Sequence, residues 1–354
     1  MSKLELGMPI LTALILAVGL LTLNSAAPAD GTLAQQLLYL ALSLPVCLLV
    51  LWLGRERLVR LAPAAYAVTL LLLVATLLLM PEVYGARRWL KLGPLPAFQP
   101  SEFAKLALLL SLAVSLHERP IRGLLAYLRP LALIGVPATL VLMGPDLGGA
   151  LVMGALGFGI LFVRGLPLRH VLVFSLVLLL AAPTLVWPNL RPHQQERVVT
   201  FLNPTADPQG SGYQVIQSRI AVGSGGLFGK GYQQGTQSQL DFIPFKQTDF
   251  IYPVLAEEAG FVGAAGLILL FALLFWRLAA MAVECPRERD QLIITGVLSL
   301  IGFQVLVNIG VSLGLAPVTG ITLPLVSYGG TSLIATLAAL AIAFTVHRDR
   351  YEDW

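Results

Sequence analysis

Long apolar runs alternate with short polar breaks along this chain, and most of the runs have the length of a bilayer crossing. Ten read as spans: Met8 to Leu23, Leu33 to Leu53, Leu61 to Met80, Phe103 to Leu116, Leu131 to Met143, Leu147 to Val163, Val171 to Trp187, Phe250 to Phe275, Leu292 to Leu313 and Ile321 to Val346. Stretches of about 17 to 25 apolar residues cross the hydrocarbon core as helices. Helix is required there because lipid offers no partner to a bare peptide group, and the alternation of a membrane barrel is missing. The expected fold is therefore all-α, a polytopic membrane protein with ten transmembrane helices in a single domain over residues 1–354. The fourth and fifth spans are short for a crossing. Composition agrees: hydrophobic residues make up 57% of the chain against 12% charged, with a mean hydropathy of +0.82.

Charge sets the orientation. Placing both termini in the cytoplasm puts 14 of the 23 Lys and Arg residues in inner segments, as positive-inside sorting demands. The other nine fall in two outer stretches: Arg87, Arg88, Lys91 and Lys105 in one, and Arg191, Arg197, Arg219, Lys230 and Lys246 in the other. Positive charge that defies the rule needs a reason, and an anion-handling site at the outer mouth of the bundle supplies one. The second stretch is the one large extramembrane piece, an outer loop over residues 188–248 between the seventh and eighth spans. It is too long for a plain connector. Within it, the segment Ser211 to Gly226 has the pattern of an amphipathic helix ending at Gly223, and GLFGKGYQQG is punctuated by glycines that suit close backbone approach.

The remaining global features exclude more than they add. Residues 1–7 are too short and polar for a cleavable signal, so the first span is expected to be retained. Cys47 and Cys285 lie in separate segments, implying neither a disulfide nor a metal cluster. A net charge of +4 resides mostly in inner loops and does not point to nucleic acid.

Asp249, in QTDFIYPVLAEEAG, is the sharpest candidate for chemistry. With Thr248 as N-cap it would stand in the first turn of the eighth span, where the helix dipole favours a carboxylate. Pro253 cannot donate to the Asp249 carbonyl, which leaves that group free and the helix able to bend. Asp249, Pro253, Ala256, Gly260 and Gly263 share a stripe along which a neighbouring helix can approach closely. Asp249 is then either a general base or a charge-favoured helix start. Glu257 and Glu258 lie deeper and need partners if ionised, which suits structural glue or a cavity lining. Glu102 and Lys105 open the fourth span three residues apart and can pair, yet Lys105 opposes the helix dipole, so it either serves Glu102 or faces an anionic ligand. Arg87, Arg88 and Lys91 read as interfacial anchors or, taken as a cluster, as phosphate contacts. Asp146 in GPDLGG reads as a helix cap and His193 as a solvated loop residue.

Together GARRW, FQPSEFAK, GPDLGGA, FLNPTADPQGSGYQVIQS, GSGGLFGKG, GTQSQLDFIP, TDFIYPVLAEEAGFVG and LPLVSYGGTS resemble the SEDS family of membrane peptidoglycan polymerases, and GSGGLFGKG with GTQSQL resembles its elongation branch more than its division branch. The chain departs from the family pattern in two places: Gln247 stands where a histidine is usual, and Phe245 and Lys246 stand where an acidic residue is frequent. The resemblance implies a glycosyltransferase of the bacterial plasma membrane that polymerises lipid II, an undecaprenyl-pyrophosphate-linked disaccharide-pentapeptide, into β-1,4-linked glycan for cell elongation. It makes Asp249 the catalytic residue and places Lys105, Glu102, Arg87, Arg88 and Lys91 at the substrate. It implies a class B penicillin-binding protein as partner and membrane lipid as surroundings, and it allows a divalent cation, Mg or Mn, as the one cofactor. Two rivals stand beside it: a lipid II flippase, which the buried acidic residues and many helices suit equally, and a non-catalytic scaffold for wall synthesis.

Overall fold

The computed structural model describes residues 6–28, 31–82, 87–91, 97–118, 123–167, 187–189, 192–203 and 212–351, with isolated positions between 169 and 184. Its helices are α1 (Gly7–Ala26), α2 (Thr32–Leu79), α3 (Pro100–Glu118), α4 (Leu128–Met143), α5 (Leu147–Val163), α6 (Pro192–Leu202), α7 (Tyr213–Ser224), α8 (Thr236–Gln239), α9 (Ile251–Glu284), α10 (Glu288–Ser312) and α11 (Gly330–Arg348). Among the described residues there is no strand, only an isolated antiparallel bridge between Leu90 and Phe98. Among the described residues six apolar helical stretches are long enough to cross a membrane, and α5 is a shorter one. The chain is a polytopic helical membrane protein. The seventh expected span, Val171 to Trp187, lies largely outside the described residues.

Four expected spans differ in form, in three ways. The second and third are one 48-residue run, broken at Gly54 in a left-handed conformation (φ 69°), with no loop between them. The C-terminal end of α11 satisfies the groups this break orphans: Asp349 Oδ2 accepts the Arg55 N–H at 3.0 Å, and Arg348 Nη2 donates to Leu51 O at 3.0 Å. The last helix begins at Gly330, nine residues after Ile321, because the intervening LPLVSYG stretch is a turn with Leu325 at φ 66°. α10 packs on α3, α5, α9 and α11.

The third difference shapes the site. α9 does not bend at Pro253; it breaks seven residues later at Gly260 (φ 65°, ψ −165°). In an unbroken helix the N–H groups of Phe261 and Val262 would bond the carbonyls of Glu257 and Glu258. Here they donate to Gly226 O at 2.8 Å and Leu227 O at 3.1 Å, and the freed carbonyls accept from the Lys230 and Gly231 N–H groups, both at 3.0 Å. The glycine-rich loop thus replaces the missing turn, bond for bond. Only glycine fits such an approach: a Cβ on Gly229 (φ 79°) would sit 2.0 Å from Glu258 O, and one on Gly225 2.0 Å from Ala256 O. The stripe of small residues on α9 therefore receives this loop rather than a neighbouring helix along Ala256 and Gly260. α7 confirms the amphipathic helix read in the outer loop, ending one residue beyond Gly223.

Candidate active site at the start of α9

Asp249 is held through its backbone. The Gln247 carbonyl accepts from the Tyr328 N–H (2.8 Å), the Thr248 carbonyl from the Ser327 hydroxyl (2.5 Å), and the Asp249 carbonyl from Asn308 Nδ2 (3.0 Å). The group that Pro253 leaves without a helical donor is thus taken by a side chain of α10. Gln36 of α2 braces the same turn, donating to Ser327 O at 3.2 Å and accepting from the Gly329 N–H at 3.3 Å. Thr248 is not a cap: its hydroxyl donates to Phe245 O at 3.3 Å, and α9 starts at Ile251 with no side-chain cap. Asp249 stands just before the helix instead of in its first turn, because the bonds to the 321–329 turn hold residues 247–249 out of helical conformation.

The Asp249 side chain is half-buried and makes no hydrogen bond or ion pair among the described residues. Burial pushes its carboxyl above the ordinary carboxylate range, and the positive charges of Arg197 and then Arg88 oppose that shift. Arg88 is fixed by donating from Nη2 to Pro145 O (2.7 Å) and lies 3.6 Å from the Asp146 carboxylate. Asp146 in turn caps α5, accepting the Gly149 N–H at 3.0 Å as its sequence position implied. The Leu90–Phe98 bridge joins this basic strip to the start of α3, where Gln99 Nε2 donates to Asp146 at 3.5 Å. Arg197, on α6, is exposed and donates to Val318 O at 3.3 Å. The result is an unpartnered carboxylate under the field of two guanidinium groups.

The other sequence candidates divide. Lys105 is 3% exposed and bonds Glu102 at 2.7 Å, so both belong to one buried ion pair. Neither is among the charges that act on Asp249. Arg87 donates to Leu77 O at 3.1 Å and is exposed, as is Lys91. Glu257 is fully buried and accepts from Lys230 Nζ (2.7 Å), the Gln237 N–H (2.9 Å) and the Ser238 N–H (3.1 Å). Glu258 accepts from the Ser25 hydroxyl (2.6 Å) and Gln239 Nε2 (3.2 Å). His193 has no described side chain. Arg197, Asn308 and Ser327 were not singled out from sequence. Their signals were present: Arg197 is one of the nine outer cations, and Asn308 is an amide inside an apolar span. No group of three or more His, Cys, Asp and Glu residues that could hold a metal occurs among the described residues. An Mg or Mn ion would find one unpartnered carboxylate here, flanked by positive charge, and that set does not fit a protein-bound cation.

Comparison with known proteins gives a consistent answer. The cell cycle protein family of FtsW, RodA and SpoVE matches residues 6–352. The peptidoglycan glycosyltransferase MrdB of Escherichia coli K12 is 40% identical over 290 residues, 82% of this chain and 78% of that protein. Stage V sporulation protein E of Bacillus subtilis 168 is 41% identical over 75% of this chain and 72% of its own length. Among solved structures, a chain of a peptidoglycan synthase complex that coordinates polymerization and crosslinking superposes with a TM-score of 0.88 at 50% identity, covering 100% of both chains. The rod shape determining protein RodA of Thermus thermophilus superposes with a TM-score of 0.77 at 42% identity, covering 99% of both chains. With a match across nearly its whole length, this chain belongs to the FtsW/RodA/SpoVE family.

Proposed function

We propose that this protein is a peptidoglycan glycosyltransferase that polymerises lipid II at the outer face of the bacterial plasma membrane. The observation that carries the reading is the unpartnered Asp249 carboxylate, aimed from a pinned backbone and set beside Arg88 and Arg197. In its ionised form Asp249 takes the proton of the acceptor sugar 4-hydroxyl as that oxygen attacks the anomeric carbon of the donor. The new C–O bond forms as the bond to pyrophosphate breaks on the opposite face, giving an inverted β-1,4 link and undecaprenyl pyrophosphate. Arg88 and Arg197 stabilise the charge that develops on the departing diphosphate. Arg87 and Lys91 extend the basic rim, and the Lys105–Glu102 pair supports the helix beneath it. A class B penicillin-binding protein is the partner this role calls for, and the relative solved in a peptidoglycan synthase complex supports that assignment.

The test is a strand-length assay on purified protein with lipid II. Wild type should yield a lipid-linked product that lengthens with time, and Asp249→Asn should yield none while purifying normally. Strands of normal length from Asp249→Asn would remove it as the base. Movement of the lipid II headgroup across the bilayer, with no strand formed, would favour the flippase.

A further inference from the structure

Asn308 sits within apolar α10 and is 1% exposed, a place where a primary amide is costly unless its polar atoms are used. Both N–H groups are used, and both on carbonyls of non-helical backbone: Asp249 O at 3.0 Å and Ile321 O at 2.8 Å. Two carbonyl acceptors fix which way the amide faces, and its Oδ1 is buried with no partner. The side chain therefore acts here as a donor. It ties α10, the entrance to α9 and the 321–329 turn to a single point. Ser327 and the Tyr328 N–H complete the clamp on the next two carbonyls, Thr248 and Gln247. Every carbonyl of residues 247–249 is thus engaged, and the carboxylate of Asp249 is left over.

We infer that Asn308 is the positioning residue of this site: by clamping the Asp249 and Ile321 carbonyls it fixes the backbone from which the Asp249 carboxylate is aimed. The inference rests on the reading of Asp249 as the base. Asn308 touches no reacting atom, so its effect belongs in turnover and not in substrate affinity. A general acid–base step tolerates little misplacement, and a shift of about 1 Å in a positioned group costs about 100-fold.

The full-length protein carrying Asn308→Leu, Asn308→Gln or Ser327→Ala, assayed across lipid II concentration and pH beside Asp249→Asn, tests this. Asn308→Leu keeps the volume and removes the donors, and should lower saturated turnover about 10- to 100-fold with the half-saturating concentration changed less than about twofold. Its acidic limb should move, because the carboxylate no longer holds its place relative to Arg88 and Arg197. Asn308→Gln keeps both donors and should recover part of the turnover. Ser327→Ala should act in the same direction more weakly, and it supplies the answer if Asn308→Leu does not purify as a single species. A purely structural Asn308 would lower melting temperature or active fraction and leave turnover per active molecule and the acidic limb where they were; that result overturns the inference. If Asp249→Asn is inactive while Asn308→Leu and Ser327→Ala turn over normally, this inference alone falls. If Asp249→Asn polymerises, the base assignment falls and this one with it.

Discussion

Burial raises the Asp249 carboxyl, and Arg197 and Arg88 pull it partway back, so the pH at which this group ionises is set by opposing neighbours. A base must be ionised to work, so polymerisation should fail on the acid side as pH drops through a point above the ordinary carboxylate range. Removing one of the opposing charges should move that point further up: Arg88→Gln is expected to shift the acidic limb of the rate profile to higher pH, and a limb that moves down would contradict the assignment. Stability runs the other way from activity. A carboxyl whose folded pKa is raised contributes stability in its protonated form, present below the unfolded pKa and lost as pH rises through the folded pKa. Above its folded pKa the ionised Asp249 therefore costs stability, and there Asp249→Asn should melt no lower than wild type while being inactive. A marked fall in melting temperature would mark Asp249 as structural. The buried Lys105–Glu102 pair behaves differently. Lys105→Met strands the Glu102 carboxylate, at a cost of about 3 to 5 kcal/mol, and the double variant Glu102→Gln with Lys105→Met should regain most of the lost thermal stability. Restored stability without restored turnover would show that Lys105 also meets substrate.

At the level of elements, the break in α9 and the loop that fills it are one unit. Glu257 closes the unit by accepting from Lys230, Gln237 and Ser238 across the loop. Glu257→Gln puts an amide among donors and should destabilise by about 2 to 4 kcal/mol. Gly229→Ala should do at least as much, because its left-handed backbone and the Glu258 carbonyl leave no space for a methyl group. Both are read as a lower melting temperature in detergent; unchanged melting for either would mean that the stitched turn holds nothing together.

This is also where sequence reasoning reached its limit. The bilayer-length runs were legible because hydropathy acts locally, and the Asp146 cap was legible because a capping side chain sits three residues from its N–H. Pro253 was the visible helix breaker, yet it falls in the first turn of α9, where the N–H it lacks needs no helical partner. The true break at Gly260 depends on bonds from a loop some 30 residues away, which no local pattern reveals. The clamp on residues 247–249 was hidden for the same reason: its donors come from α10 and from a turn that hydropathy alone assigns to the last span.

Across the whole molecule, the features that fail to fit a plain membrane bundle gather along the N-terminal part of α9. Arg88 and Arg197 act on a carboxylate that has no hydrogen bond among the described residues, and a glycine loop is grafted into the same helix further along. The opposite end of α9 carries a different chemistry: Glu284 meets His347 at 2.7 Å, while Arg55 bonds the fully buried Asp290 at 3.1 Å and closes the kink of α2. One end holds the bundle and the other presents reactive groups. If the site lies wholly at the outer mouth, proton abstraction and pyrophosphate departure both occur there, and no charge has to cross the bilayer.

The measurement that reaches this most directly uses protein reconstituted with the proposed transpeptidase partner in vesicles, with lipid II supplied on the outer leaflet and no ion gradient. The expected result is a lipid-linked glycan that lengthens with time and is abolished by Asp249→Ala. No strand without a gradient, or a strand made equally well by Asp249→Ala, would contradict it.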